Sequence, residues 1–501
     1  MKKGLFVFTN SPFWTDAIKK LSLKGYKPSL IIGSQEHKKH FKDSLVLDPH
    51  SFRIANSQNF LKVKDVCDKN IIENLNESIL SSQICLTRFL PSKVDISTEQ
   101  RNLFINRSIN FIFSILDKFK FDFIVLASPP HRVIDQLLVD IGKIKKIPTL
   151  IFHHTMFDKY HYISGNPNII VNKEKQKEKK DLSNFLKLAI DKISKGETFN
   201  YTLSAASPKF KVKIKKKSLI KNLIKKVTFL KKKNMMYSLG PLKSGDDVHF
   251  TGYFKFKANH LLNKYKVSLA KKYYDKTSIS LDKKKKYLYY PISYQPESSL
   301  CPTGGFFSHN LISLMYLNSV IPDNYEIFCK IHPRQFSKPV DRDNTFDKAY
   351  IKSLNEYSKR IKFLKKDTNN LEIIKNSEGI IVDTNASTSF IEAMCLSKKV
   401  LSLNKDAYFR YFSNVLDLRK KNLSKTTVSK FLNTFFNSNN FLENLNEFEA
   451  KTFDFSLYLL SQQETRNMVE FEYKQEDKDY EEINNVFVDE IIRNVELEKN
   501  D

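Results

Sequence analysis

Lys330-Ile331-His332-Pro333-Arg334 closes an apolar run with an imidazole, two cations and a proline that stops a strand. That set suits a phosphate or a carboxylate; the plainer reading is a loop histidine that caps a turn. Further along, Asp383-Thr384-Asn385-Ala386-Ser387-Thr388-Ser389 leads into Phe390-Ile391-Glu392-Ala393. A strand ends there, a hydroxyl-rich turn follows and a helix begins. Hydroxyls and free backbone N–H groups at a helix start form an anion site, and ordinary N-capping by Ser387 or Thr388 is compatible with it. Glu392, one turn into the helix, suits ribose hydroxyls or a lysine partner. Gln295-Pro296-Glu297 and Gly304-Gly305 follow another apolar run, and glycines there let backbone approach a ligand closely. Neither a GxGxxG fingerprint nor a GxxxxGK[ST] loop is present, so a dinucleotide fingerprint and a P-loop are excluded.

The first third of the chain carries a second group: His131, Arg132, His153, His154 and Asp158. A group transfer to a hydroxyl needs a base, and His or Asp can serve. His153 and His154 point to opposite sides of an extended chain, so at most one of them serves. The bland alternative is loop histidines with no catalytic duty. Asp341-Arg342-Asp343 matches the DxD pattern of metal-dependent transferases, but no other acidic pair stands at a strand end. No metal and no cofactor are expected.

The elements that must position these groups alternate strand and helix. Residues 4–9, 28–32, 122–127 and 149–152 read as strands, with helices after residue 12, over 99–119 and up to about residue 145. Residues 45–100 have no regular pattern. A second alternation has strands at 287–292, 326–331, 361–364, 379–382 and 400–403, with helices over 308–319 and 388–396. Continuous apolar strands require burial on both faces, as in parallel sheets. The expected fold class is therefore α/β, with two Rossmann-like domains facing across a cleft. Residues 1–170 form the first, 171–280 a basic insertion or connector, 281–465 the second, and 466–501 an acidic helical tail.

The chain has 501 residues, 41% hydrophobic, with a formal net charge of +28. A field of that sign attracts phosphates of any kind, in nucleotide sugars, nucleic acid or lipid surfaces. The interleaved aromatics of a nucleic-acid platform are not evident, so no nucleic-acid partner is expected. The five cysteines are scattered, without CxxC spacing, and read as buried small side chains in a reducing compartment. The apolar stretch after Met1-Lys2-Lys3 is too short for a signal peptide, and no run approaches the roughly 18 residues that span a bilayer. Ile220, Leu223, Ile224, Val227 and Leu230 share one helical face among lysines, a pattern that suits either an anionic membrane surface or a solvated helix.

The run Lys330–Pro333 (KIHP), then Ser387–Met394 (STSFIEAM) and Lys399-Val400, resembles the capsule polysaccharide biosynthesis proteins, which are Kdo-transferase-like glycosyltransferases. The resemblance covers about residues 285–405 and implies a GT-B fold. It implies that His332 and the pair Ser387-Thr388 contact the donor phosphate, usually of a CMP-sugar, and that Glu392 is the family's helix glutamate. Lys330, Arg334, Gln295, Gly304 and Gly305 join the expected donor site, and Asp158, His154 or His131 supplies the base. Where the family often has Gly-Lys-Pro-Val, this chain has Ser397-Lys398-Lys399-Val400. The expected function is transfer of a Kdo- or sialic-acid-like sugar from a nucleotide-sugar to a bacterial surface polysaccharide or lipid-linked glycan. The expected place is the cytoplasm, peripheral at the anionic inner face of the membrane. Two rivals share the features: a UDP-sugar epimerase of the same architecture, and a non-enzymatic basic protein that binds anionic polymer or membrane.

Overall fold

The computed structural model describes residues 1–8, 12–34, 36–47, 69–89, 98–154, 161–164, 180–197, 253–294, 300–332, 334–337, 347–384, 387–404, 409, 412–420, 422–436 and 478–500. In chain order the first half runs β1 (Lys2–Val7), α1 (Pro12–Leu23), β2 (Tyr26–Ile32), α2 (His37–His40), β3 (Leu45–Leu47), α3 (Lys69–Phe89), α4 (Thr98–Phe119), β4 (Phe123–Leu126), α5 (Val133–Ile144), β5 (Thr149–His154) and β6 (His161–Ser164). Its six strands lie in the order β3-β2-β1-β4-β5-β6. All pairs are parallel except β5 with β6.

The two-residue period of a strand explains this sheet. Leu5, Val7, Leu30, Ile32, Ile124, Leu126 and Ile151 face one way, into a core shared with α3, α4 and α5. Phe6, Phe8, Ile31, Phe123, Val125, Leu150 and Phe152 face the other way, toward α1. Both faces are apolar, and β4, buried at every position, reads as an unbroken hydrophobic run.

α6 (Lys180–Ser194) and α7 (Tyr253–Thr277) precede the second sheet. There follow β7 (Tyr287–Ile292), a 3-10 turn (Gly305–Ser308), α8 (Asn310–Val320), β8 (Glu326–Ile331), α9 (Arg334–Ser337), α10 (Lys348–Glu356), β9 (Ile361–Phe363), α11 (Asn370–Asn376), β10 (Gly379–Val382), α12 (Thr388–Cys395), β11 (Lys399–Ser402), β12 (Val415–Asp417) and α13 (Lys425–Asn433). The order is β12-β11-β10-β7-β8-β9, parallel throughout. Tyr287, Tyr289, Phe328, Ile380, Val382 and Val400 face α11 and α12. Leu288, Tyr290, Ile292, Ile327, Cys329, Ile331, Ile381 and Leu401 face α7, α8, α10 and α13.

The halves are thus two Rossmann-like sheets in an α/β architecture. Two helices from residues 171–280, the expected basic insertion or connector, supply core side chains. Ala189 and Ile193 of α6 enter one core of the second half, and Ala270 and Tyr274 of α7 enter the other. The face built on Ile220, Leu223, Ile224, Val227 and Leu230 lies outside the described residues, as does Asp341-Arg342-Asp343.

The last element, α14 (Lys478–Asn500), returns to the first half. Phe487, Val488, Ile491 and Val495 form its buried stripe against α1 and the sheet. The Phe487 ring lies 5.1 Å from Phe13, 4.8 Å from Trp14 and 4.9 Å from Phe152. Asn484 Nδ2 donates to the Phe13 carbonyl at 3.0 Å. The acidic composition finds its use here, because Glu481, Asp489 and Glu496 pair with Lys20, Lys24 and Lys2.

No helix among the described residues is long and apolar enough to cross a membrane. Cys85, Cys301, Cys329 and Cys395 are buried, in keeping with their reading as small core side chains.

Candidate functional site

In each sheet the first strand is central and the chain winds away from it in both directions. The order reverses between β1 and β4 in one half and between β7 and β10 in the other. Ligands of open α/β sheets sit outside the carboxyl ends of the strands at such a switch point.

Of the expected residues, Lys330, His332, Ser387, Thr388 and Glu392 lie on the strand ends and the helix around this point in the second half. Register pairs Ile292 of β7 with Ile331 of β8, so Ser293 and Tyr294 emerge beside His332. The Tyr294 and His332 rings lie 6.0 Å apart. On the other flank β10 ends at Val382, and Asp383 and Thr384 lead toward Ser387 and α12.

Asp383 is 2% exposed and bonded on both carboxylate oxygens. Ser293 Oγ donates to Oδ1 at 2.5 Å, and the Tyr290 hydroxyl donates to Oδ2 at 2.9 Å. Burial raises the Asp383 carboxyl to about 6 against the pull of these two donors. Asn404, at the end of β11, donates to the Asp383 carbonyl at 3.2 Å.

Ser387 stands at the N-cap of α12 with extended backbone, yet its side chain makes no capping hydrogen bond. Ordinary capping therefore does not account for this hydroxyl. Thr388 is exposed and Glu392 half-buried. Lys330 lies on the same sheet face as Phe328 and is 8% exposed. Its ammonium donates to the Thr368 carbonyl at 2.7 Å. Burial lowers its pKa, opposed by the nearby carboxylates of Glu392 and Asp367. Lys330 is thus tied into the wall of the site and pairs electrostatically with Glu392. Arg334 opens α9, and nothing further is described of its side chain; Gln295 lies outside the described residues.

The glycine pair has a different neighbour. Gly305 has φ +57, and a Cβ on it would stand 1.9 Å from Oε1 of Glu77, on α3 of the first half. Phe306 N donates to that oxygen at 3.2 Å. Arg419 pairs with the same carboxylate, reaches the Gly304 carbonyl at 3.4 Å and lies 5.3 Å from the Phe307 ring. The anion against this backbone is a side chain of the protein itself.

In the first half, His131 lies between β4 and α5, half-buried, and its carbonyl accepts from Cys85 Sγ at 3.8 Å. Arg132 is taken up by Asp135, with contacts of 2.8 and 2.9 Å at the start of α5. His153 is fully buried in β5. His154 ends β5, opposite His161 of β6, and its side chain lies outside what is described, as does Asp158 altogether.

His37 was not singled out by sequence reasoning. It is 1% exposed at the carboxyl edge of β2, 4.2 Å from the Phe8 ring, and neither ring nitrogen makes a hydrogen bond. Burial, then the charge of His40, lowers it to about 4, so its imidazole is neutral. Gly33 makes room for it, since a Cβ there would stand 2.6 Å from His37 Nδ1. In the sequence it is one of two histidines in a short polar run, which carries no signal of burial. Among the described residues no group of three or more His, Cys, Asp or Glu is placed to hold a metal ion.

No family model matches the chain, and no curated protein matches it. Solved structures do. The UDP-GlcNAc 2-epimerase of Methanocaldococcus jannaschii is 13% identical, with 90% of this chain and 99% of that one covered and a TM-score of 0.23. That of Neisseria meningitidis bound to UDP-GlcNAc is 11% identical, covering 89% and 98%, with a TM-score of 0.21. The calicheamicin glycosyltransferase CalG4 is 8% identical, covering 92% and 95%, with a TM-score of 0.21. Likeness at this level assigns neither activity nor ligand to this chain.

Proposed function

We propose that this protein is a glycosyltransferase that moves a sugar from a nucleotide-sugar, with a CMP-sugar as the favoured donor, to a surface polysaccharide or lipid-linked acceptor. One observation carries the reading. The switch point of the second sheet brings together the carboxyl ends of β7, β8 and β10, with His332 on one flank and the uncapped Ser387 at the start of α12 on the other.

In this reading the donor phosphate lies between His332 and the first N–H groups of α12. As the glycosidic bond breaks, its electron pair stays on the phosphate oxygen. The imidazole, the Ser387 and Thr388 hydroxyls and the helix dipole stabilise that charge from fixed positions. A metal ion is not needed for this step. Lys330 holds the site wall and Glu392 faces the ribose. The acceptor hydroxyl loses its proton to a base of the first half, for which Asp158, His154 and His131 are the candidates. The acceptor meets the donor at the cytoplasmic face of the membrane.

The test is turnover of CMP-activated acidic sugars with and without a polysaccharide acceptor. Acceptor-dependent release of CMP, lost by about a hundredfold or more in His332→Ala with the fold intact, is the expected result. Interconversion of a UDP-sugar with no acceptor present would replace this reading by an epimerase.

A further inference from the structure

Ser293 and Asp383 are 90 residues apart in sequence and meet where the strand order of the second sheet reverses. A serine hydroxyl has one proton. Here that proton is spent on Asp383 Oδ1, at 2.5 Å. The second carboxylate oxygen is closed off by the buried Tyr290 hydroxyl, at 2.9 Å. Asp383 is itself buried, whereas Ser293 is half-buried at the edge of the sheet. The Ser293 hydroxyl, its one proton given to Asp383, therefore has only its lone pairs left for a further partner.

We propose that Ser293, its proton held by Asp383, is a specificity residue that accepts a hydrogen bond from a hydroxyl or amino group of the bound nucleotide. A phosphate oxygen is a poor match for it, because two acceptors would face each other. This sorts the switch point by polarity. His332 and the start of α12 offer donors and suit the phosphate, while Ser293 offers an acceptor and suits the ribose hydroxyls or the amino group of the base. The hydroxyl is held in this sense while Asp383 is ionised, which sets the working pH of the test above its raised value of about 6.

The inference rests on the nucleotide-sugar reading, and the experiment separates the two. Calorimetric titration at about pH 7.5 compares CMP, UMP and 2′,3′-dideoxy-CMP on the wild type, Ser293→Ala and Ser293→Thr. Ser293→Ala should weaken CMP about three- to tenfold. Ser293→Thr, which keeps a hydroxyl, should bind as the wild type does. The Ser293→Ala penalty should vanish for the one analogue that lacks the recognised group: the dideoxy compound if it is a ribose hydroxyl, UMP if it is the base amino group. Unchanged CMP binding in Ser293→Ala, or an equal penalty for all three nucleotides, overturns the inference and leaves the donor site standing. A wild type that binds none of the three overturns both.

Discussion

Glu77 of the first half and Arg419 of the second form an ion pair whose carboxylate also accepts from the backbone N–H of Phe306. Both side chains are mostly shielded, at 15% exposure for Arg419 and 24% for Glu77. Cys301 adds a second link, its thiol donating to the Ser81 carbonyl at 3.3 Å. Gly305 is the residue that admits Glu77, through a positive φ and the lack of a Cβ.

That geometry predicts a coupling. Gly305→Ala should destabilise by about 2 kcal/mol or more, from the left-handed backbone together with the clash. In a Glu77→Ala background the clash is gone and only the backbone cost, about 1–2 kcal/mol, should remain. Denaturant unfolding of the four proteins measures the difference; fully additive penalties would mean that the two residues do not meet.

Ser397 follows α12 with φ +54, a conformation that glycine adopts freely and L-residues do not. Ser397→Gly should therefore stabilise by a few tenths to about 1 kcal/mol, and Ser397→Val should destabilise by about 1 kcal/mol or more. Thermal unfolding checks both signs. Glycine at this position would meet the same backbone need without strain. Lys398 holds the same turn by donating to the Ser377 carbonyl at 2.8 Å.

The C-terminal helix is held by its aromatic stripe rather than by its charges. Phe487→Ala empties the space between Phe13, Trp14 and Phe152 and should cost about 3–5 kcal/mol. Lys24→Ala removes a pair in which both side chains are about half exposed, and should cost no more than about 0.5 kcal/mol. Equal costs in urea titrations would contradict this ranking.

Two buried groups give stability opposite dependences on pH. Asp383 is raised from 3.8 to about 6, so its ionised form penalises the fold above about pH 6, and the penalty is relieved as pH falls toward 3.8. His37 is lowered from 6.5 to about 4, so its contribution is full above pH 6.5 and is lost as pH falls from there toward 4. The two partly cancel in the wild type, and substitutions uncover them. The stability of the wild type relative to Asp383→Asn should rise by up to about 3 kcal/mol between pH 8 and pH 4. A difference that stays constant with pH would contradict the raised value.

Strands such as Phe123–Leu126 were legible in the sequence because burial on both faces leaves an unbroken apolar run. α3 was not. Its buried positions include Ser78, Ser81 and Ser82, which blunt the helical pattern of apolar residues. β3 and β12 have three residues each, too few to show a period. The motifs around His332 and Ser387 stood out because hydroxyls and cations follow apolar runs. Ser293 and Glu77 did not, and the role of Asp383 inside its motif did not, because their meaning comes from partners brought together only by the order of the strands and the contact of the halves. The glycine pair was visible as a place of close approach, but its visitor, Glu77, was not.

In the proposed function the second half binds a nucleotide phosphate at His332 and the start of α12. Melting temperatures of the wild type and of His332→Ala, each with saturating CMP, UDP or GDP, decide this. A bound ligand at about a hundredfold over its dissociation constant adds about 2.7 kcal/mol of stability. CMP should raise the melting temperature of the wild type, and His332→Ala should lose most of the rise while keeping its unliganded stability. A folded wild type that none of the three stabilises, or an equal rise in both proteins, would contradict it.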